Sequence, residues 1–287
     1  MTNRVAKIRL TILFVLSACA VFAWFLPSIY AVQQSPYLQV HYLDIGQGDA
    51  TLIETPSGIQ ILIDGGPNAT VLQRLTEVMG FSDNTIDVVA STHPDRDHIG
   101  GLIDVLKKYK IDTILTTENK GDTNTAKMYD TLKMEEEADI VYARRGQEFF
   151  LDASTTLRVL FPDSDPTDME SNTSSIVLQL IYGDITFMFT GDSPKNIEEY
   201  LVLVEGEHLQ SDVLKVGHHG SRTSTSELFL NEVQPEFAVI SAGKNNSYGH
   251  PHVEVTDLLF NARVKTLETA KEGNVTLLSD GKTVWQE

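Results

Sequence analysis

Cysteine is almost missing from this chain of 287 residues: Cys19 is the only one. That excludes a disulfide framework and any cysteine-built metal site. A metal centre here has to be made from His, Asp and Glu. Basic residues are also scarce, 22 Lys and Arg against 40 Asp and Glu, for a net charge of −18. Such a surface repels polyanions at long range and weighs against a dedicated nucleic-acid binder, which carries a basic patch. Metal ions in a cleft, or a local patch, would still accept phosphates. No histidine lies between His98 and His208, so the middle of the chain supplies no imidazole. Only one long apolar run is present, Leu10 to Val32.

That run follows Arg4, Lys7 and Arg9, and no acid precedes it. Residues 1–34 therefore read as a signal peptide, cut after Ala31 with Ile29 at −3, or as an uncleaved membrane anchor. About 20 apolar residues span a bilayer, and this run is just long enough. The basic flank would stay in the cytoplasm. Leu16-Ser17-Ala18-Cys19 also resembles a lipoprotein cleavage box, although the apolar run after Cys19 disfavours it. Each reading places residues 35–287, one globular domain with 19 basic and 40 acidic residues, outside the cytoplasm. The expected localisation is secreted or membrane-anchored.

The most informative stretch is Thr92-His93-Pro94-Asp95-Arg96-Asp97-His98-Ile99-Gly100-Gly101. Ile86 to Ser91 before it reads as a buried strand, and Gly101 to Lys108 after it as a helix start. Four metal-capable side chains thus fall in a strand-to-helix loop, where ligands converge. An Asp/His-rich loop is often only a solvated turn. Here further candidates at other strand ends support a site. Neighbours Asp97 and His98 do not easily face one ion together with His93 and Asp95. The spacing suggests two metals, one taking His93 and Asp95, the other Asp97 and His98.

The remaining candidates follow strands. Asp64 ends the strand Ile59 to Ile63 and precedes Gly65-Gly66, where backbone can approach an occupied site. It reads as a residue that orients the metal loop. Asn172-Thr173-Ser174-Ser175 is either a polar strand entry or a substrate contact. Asp192, after Thr190-Gly191, reads as a carboxylate bridging two metals. Gly217-His218-His219-Gly220-Ser221 fits a core poorly, so one histidine reads as a ligand and the other as a support or substrate contact. In Tyr248-Gly249-His250-Pro251, His250 suits a phosphate contact or general acid. His252 begins a helix, Val253 to Phe260.

Strands come in two runs, each starting with adjacent strands and continuing with alternating helices. That pattern predicts an α/β fold of two sheets face to face, helices outside and metals at one edge. The order of Asp64, His93 to His98, Asp192 and His219 resembles the metallo-β-lactamase superfamily, whose four-layer αββα sandwich it implies. Leu43 to Ala50, Thr92 to Gly101, Thr190 to Asp192, Lys215 to Ser221 and Tyr248 to Pro251 further resemble the hydrolase-like domain of ComEC competence proteins. The likeness covers roughly residues 37–287. Those proteins also carry a multi-helix DNA channel, which this chain lacks, so a role in DNA uptake does not transfer.

Two departures stand out. Asp95 replaces the superfamily's second His of His-x-His, and Asn172 to Ser175 lies where a mid-chain His ligand is usual. The first site is harder, which moves preference from Zn²⁺ toward Mn²⁺ or Mg²⁺. The resemblance implies a hydrolase with two divalent ions, metal ligands His93, Asp95, Asp97, His98, Asp192 and His219. Catalysis would rest on Asp97, orienting or deprotonating a water, and on His250. Asp64, Asn172, Ser175, His218 and Ser221 would support ligands or contact substrate. The leading expectation is a phosphodiesterase or nuclease, DNA being one substrate. Alternatives are an esterase on a smaller phosphodiester, such as a lipid head group or cell-wall decoration, and a non-catalytic metal-binding surface adaptor. The membrane is a partner if the N-terminus is uncleaved, and no protein partner is inferable.

Overall fold

Central strands in this chain are apolar on both faces, and that decides the layering. Phe187 and Phe189 face one core while Met188 between them faces another. Phe237 and Val239 alternate in the same way with Ala238 and Ile240, and Ile61 and Ile63 with Leu62. Such strands must be covered on both sides. The computed structural model describes residues 15–17 and 35–287. Pro36–Glu287 form one compact unit, and residues 15–17 are a helical piece of the unit Met1–Ser35. The three readings of the N-terminal run fall outside the described residues, apart from those three positions. Among the described residues no helix is long and apolar enough to cross a membrane.

One sheet has eight strands. Its chain-order members are β1 (Leu38–Tyr42), β2 (Thr51–Glu54), β3 (Gln60–Ile63), β4 (Thr85–Ala90), β5 (Lys110–Thr116) and β6 (Asp139–Tyr142), completed by β14 (Val275–Ser279) and β15 (Val284–Gln286). They lie side by side as β15-β14-β1-β2-β3-β4-β5-β6. The other sheet has seven: β7 (Glu148–Phe150), β8 (Thr155–Phe161), β9 (Val177–Tyr182), β10 (Ile185–Phe189), β11 (Val213–Lys215), β12 (Phe237–Ile240) and β13 (Lys265–Glu268), in the order β13-β12-β11-β10-β9-β8-β7. Leu38, Val40, Tyr42, Leu178, Leu180 and Phe187 fill the space between the sheets. Helices α1 (Thr70–Met79), α2 (Arg96–Ile99), α3 (Leu102–Lys108) and α4 (Asn124–Glu135) cover the first sheet. Helices α5 (Lys195–Glu205), α6 (Glu227–Val233) and α7 (Val253–Asn261) cover the second. This is the expected four-layer αββα sandwich.

Strands β3, β4 and β5 run parallel, as do β10, β11, β12 and β13. The loops after their C-terminal ends therefore gather at one edge, as ligand sites do in α/β sheets.

The structure departs from the predicted loop at the His93 to His98 stretch. Arg96–Ile99 form a short helix, and the longer helix starts only at Leu102. Glycines explain the break. A Cβ on Gly101 would lie 2.0 Å from the Gly65 carbonyl oxygen, and one on Gly65 would meet Leu102. The Gly65-Gly66 pair thus receives the backbone of the His93 to Gly101 stretch itself: Gly65 N–H donates to His98 O, and Gly101 N–H to Gly66 O. The helix predicted from Ser224 begins at Glu227, because the Ser226 side chain accepts the Phe229 N–H and caps it.

Glu198 on α5 is buried, and its carboxylate accepts the Thr225 and Ser226 N–H groups at 2.6 and 2.7 Å. Burial outweighs those hydrogen bonds and pushes its pKa from 4.5 up to about 7. The unfolded chain then releases this proton first. The stabilisation is complete below about pH 4.5 and is lost as pH rises to about 7, a fall of roughly 3 kcal/mol at most. Glu198→Gln is expected to flatten that part of the stability profile. Urea midpoints of both proteins at pH 5 and pH 8 measure it, and equal pH dependence in the two would refute the assignment.

Candidate metal centre

Asp192 stands at the middle of the loop edge. It leaves β10 through Gly191, whose φ of +52° turns the chain, and its N–H donates to Ser175 Oγ at 3.2 Å. Its Oδ1 is 3.3 Å from His98 Nε2. Its Oδ2 is 3.5 Å from His218 Nε2, 3.6 Å from His219 Nε2 and 3.9 Å from His93 Nε2. Two imidazoles come from the first sheet and two from the second, so the site exists only because the sheets pack together.

Each ring is turned the same way. Asp64 Oδ2 lies 2.8 Å from His98 Nδ1 and also accepts the Thr92 hydroxyl, while Oδ1 accepts the Thr92 N–H. Having donated to Asp64, Thr92 Oγ1 accepts from His93 Nδ1 at 3.0 Å. His219 Nδ1 faces two acceptors, Asp49 Oδ1 at 3.1 Å and Ser241 O at 3.0 Å. His218 Nδ1 is 3.0 Å from Thr223 Oγ1. With a proton held on Nδ1, every ring presents its Nε2 lone pair toward Asp192.

Those inward atoms test the fit of a cation. Nε2 of His93, His98 and His219 and Oδ1 of Asp192 are buried and make no aligned hydrogen bond. Buried polar atoms are almost always paired. Imidazole nitrogens and a carboxylate converging on one point are the donor set of a divalent ion. Asp49, His98, Asp192 and His219 each offer a ligand atom within 4.8 Å of the others. Within that group both Asp49 oxygens are engaged, Oδ1 by His219 and Oδ2 by the Lys215 ammonium at 2.8 Å. Asp49 therefore braces His219 from outside, and Asp97, whose Oδ2 is 3.3 Å from His219 Nε2, faces the centre in its stead.

Electrostatics agree. Burial raises the Asp192 pKa, but His98, His219 and His93 around it win and hold it well below the carboxylate range. Burial lowers His98, yet Asp192 and Asp64 lift it well above its ordinary value. His219 is lifted to about 10 against burial by Asp192 and Asp49. His93 is lowered, by burial and by the His98 charge. Asp97 is held down to about 2, its hydrogen bond to His219 and the His98 charge overcoming burial. The carboxylates draw positive charge into the cluster, which protons or a metal ion supply; a metal displaces the protons.

The remaining predicted residues fall as follows. Asp95 is half-exposed, 3.9 Å from His93 Nε2, and accepts the Ser171 hydroxyl. His93 and Asp95 thus stand together, as do Asp97 and His219. Asn172 sits in a short 3-10 turn with its Oδ1 buried and unpaired. Ser175 holds Asp192, as above. Ser221 Oγ bonds Thr223, the brace of His218, so it stands one residue back from the cleft. His250 packs 5.5 and 6.1 Å from the His218 and His219 rings. Burial and those two rings push its pKa down to about 4. A neutral ring at pH 7 donates a hydrogen bond to a phosphate, which weighs against the general-acid role expected from sequence.

Asp49 and Lys215 were not among the sequence candidates. Both lay inside stretches singled out only for their resemblance, Leu43 to Ala50 and Lys215 to Ser221, with no role given to either residue. The signal for Asp49 was Gly48, whose φ is +133° and whose added Cβ would lie 2.2 Å from Asp97 O. A turn that tight against the metal loop marks its neighbour as part of the site.

This sandwich and this edge cluster define a class. The chain belongs to the Metallo-beta-lactamase superfamily, whose profile matches residues 43–244. More specifically, it is similar to ComE operon protein 3 of Bacillus subtilis, 33% identical over 83% of this chain and 32% of that protein. Recombination protein 2 of Haemophilus influenzae is 30% identical over 84% of this chain and 29% of its own length. The chain thus spans about a third of the length of these curated relatives. Among solved structures, the metallo-beta-lactamase fold protein YhfI of Bacillus subtilis superposes with a TM-score of 0.55. It shares 12% identity over 87% of this chain and all of that one, a likeness of fold.

Proposed function

We propose that this chain is an exported, metal-dependent phosphodiesterase acting on a nucleic-acid strand. The observation that carries the reading is Asp192 ringed by four imidazoles whose Nε2 atoms point inward, with Asp95 and Asp97 on the solvent side. Zn²⁺ or Mn²⁺, or Mg²⁺, would be held as a pair by His93, Asp95, Asp97, His98, Asp192 and His219, with His218 as a further donor. Bound there, the ions would lower the pKa of water and neutralise charge on the phosphoryl oxygens. Asp97, ionised at neutral pH, accepts a hydrogen bond from the attacking water and orients it. His250 donates an N–H to a phosphate oxygen. Asp49, Asp64 and Thr92 keep the rings from turning. The name of one relative, Recombination protein 2, supports a nucleic-acid substrate. The N-terminal run, as a leader or anchor, supports work outside the cytoplasm.

A smaller phosphodiester is the second reading, favoured by one feature. The open cleft beside the Asp95 loop, about 690 Å³, is lined by Glu118, Asp122 and Asp168 with Lys120. Glu118 is paired with Arg144, but Asp122 and Asp168 outnumber Lys120, so the flank stays net negative and repels a polyanion.

The test uses residues 36–287, the compact unit that holds all three described cores. Single- and double-stranded DNA and bis(p-nitrophenyl) phosphate are offered with Mn²⁺, Zn²⁺ or Mg²⁺. Metal-dependent DNA cleavage is expected, falling about 100-fold or more in Asp97→Ala. Cleavage of the small diester alone favours the second reading. No turnover with any metal overturns both and leaves a metal-binding adaptor.

A further inference from the structure

Beyond the metal ligands, the loop after β12 ends in an aromatic ring that nothing covers. Tyr248 is 64% exposed, the most open tyrosine among the described residues. Its inner face stacks on His250, centroids 5.6 Å apart and planes 21° apart. The turn beneath is clasped by one side chain. Asn246 Oδ1 accepts the N–H groups of Tyr248 and His250, and its Nδ2 donates to Gly243 O and His250 O. Gly243 N–H in turn donates to Gln47 Oε1 in the Asp44–Asp49 turn. The ring is therefore held beside the metal cluster, one ring beyond His250.

Holding an aromatic face open to water has an unfavourable hydration cost and makes no internal contact on that side. We infer that Tyr248 is a stacking platform for one unpaired nucleobase next to the scissile phosphate. This deepens the phosphodiesterase reading and rests on it. A base in a duplex already has neighbours on both faces, so the platform selects a single strand or a frayed end. The surroundings suit such a strand. Lys244 lies in the same turn, and Arg222, whose N–H donates to His252 Nδ1, flanks the other side, with His252 4.8 Å from His250. Arg222 is paired with Glu254 at 3.3 Å, which leaves exposed Lys244 as the cation beside the ring, in a chain of net charge −18.

The test separates base from phosphate. In an Asp97→Ala background, which binds without cutting, fluorescence anisotropy compares a short single-stranded oligonucleotide with an abasic strand of equal phosphate count. Tyr248→Ala is expected to weaken binding of the base-bearing strand about 5- to 100-fold and leave the abasic strand unchanged. Tyr248→Phe keeps the stack and should stay within about twofold of the parent. Equal losses on both strands, or none on either, overturn the platform. If the parent cleaves DNA while Tyr248→Ala binds as it does, the inference falls alone. If no strand is bound or cut by any form, inference and proposed function fall together.

Discussion

Replacing Asp192 with alanine is expected to lower metal-dependent turnover by about 1,000-fold or more, because a centred carboxylate is worth several kcal/mol of charge stabilisation. Among the described residues no other side chain touches so many of the donor groups: all four imidazoles come within 3.9 Å of its oxygens. Bound metal per protein, measured by equilibrium dialysis, should fall with the rate. The fold should survive, because Asp192 is attached to β10 through its backbone and Ser175, while Phe187 and Phe189 stay in the inter-sheet core. Asp192→Asn keeps the shape and loses the charge, so it should bind metal weakly and turn over slowly. A variant that keeps its metal and loses less than tenfold in rate would show that the cluster is not the reacting centre.

Asp64→Ala is expected to cost more stability than any other single change at this edge, about 3–5 kcal/mol. Its carboxylate is buried and binds three donors: the Thr92 N–H, the Thr92 hydroxyl and His98 Nδ1. Removing it leaves the amide and the ring nitrogen buried without partners. His98 and, through Thr92, His93 would then be free to rotate, and metal affinity should drop about 10- to 100-fold. Urea unfolding in the presence of EDTA reads the stability term alone; metal titration reads the other. A loss under about 1 kcal/mol would mean that water replaces the carboxylate without cost.

The two changes differ in kind. Asp192 lies buried among the four Nε2 atoms, where a cation would sit, whereas Asp64 lies behind the rings and holds both His98 and the Thr92 backbone. This division follows from the sandwich itself. Residues on the last position of a strand point into the cleft or back into the loop according to one step of backbone, and Asp64, with φ of +58°, is turned back.

Much of this was open to inspection in the linear chain. The strands stand near their apolar runs, because a segment buried on both faces has few ways to be written. Asp64, His93 to His98, Asp192 and His218-His219 could be picked out, because metal-capable side chains beside glycine at strand ends rarely serve packing. Four things were decided only by the tertiary structure. The Asp49–Lys215 pair spans 166 residues, and no local pattern announces it. The inward turn of His98 depends on Asp64 and that of His219 on Asp49 and Ser241, all distant in sequence, whereas His93 and His218 are braced within their own loops by Thr92 and Thr223. The helical turn at Arg96–Ile99 depends on the Gly65-Gly66 backbone against which it closes. The Tyr248–His250 stack depends on Asn246 and on the first sheet's Gln47. The sequence by itself determined the layers and the stock of metal-capable side chains at the strand ends, since burial and residue chemistry are written position by position. That the four rings meet at Asp192, and that Asp49 braces His219, was set by the packing of the two sheets, because those contacts do not exist until the sheets meet.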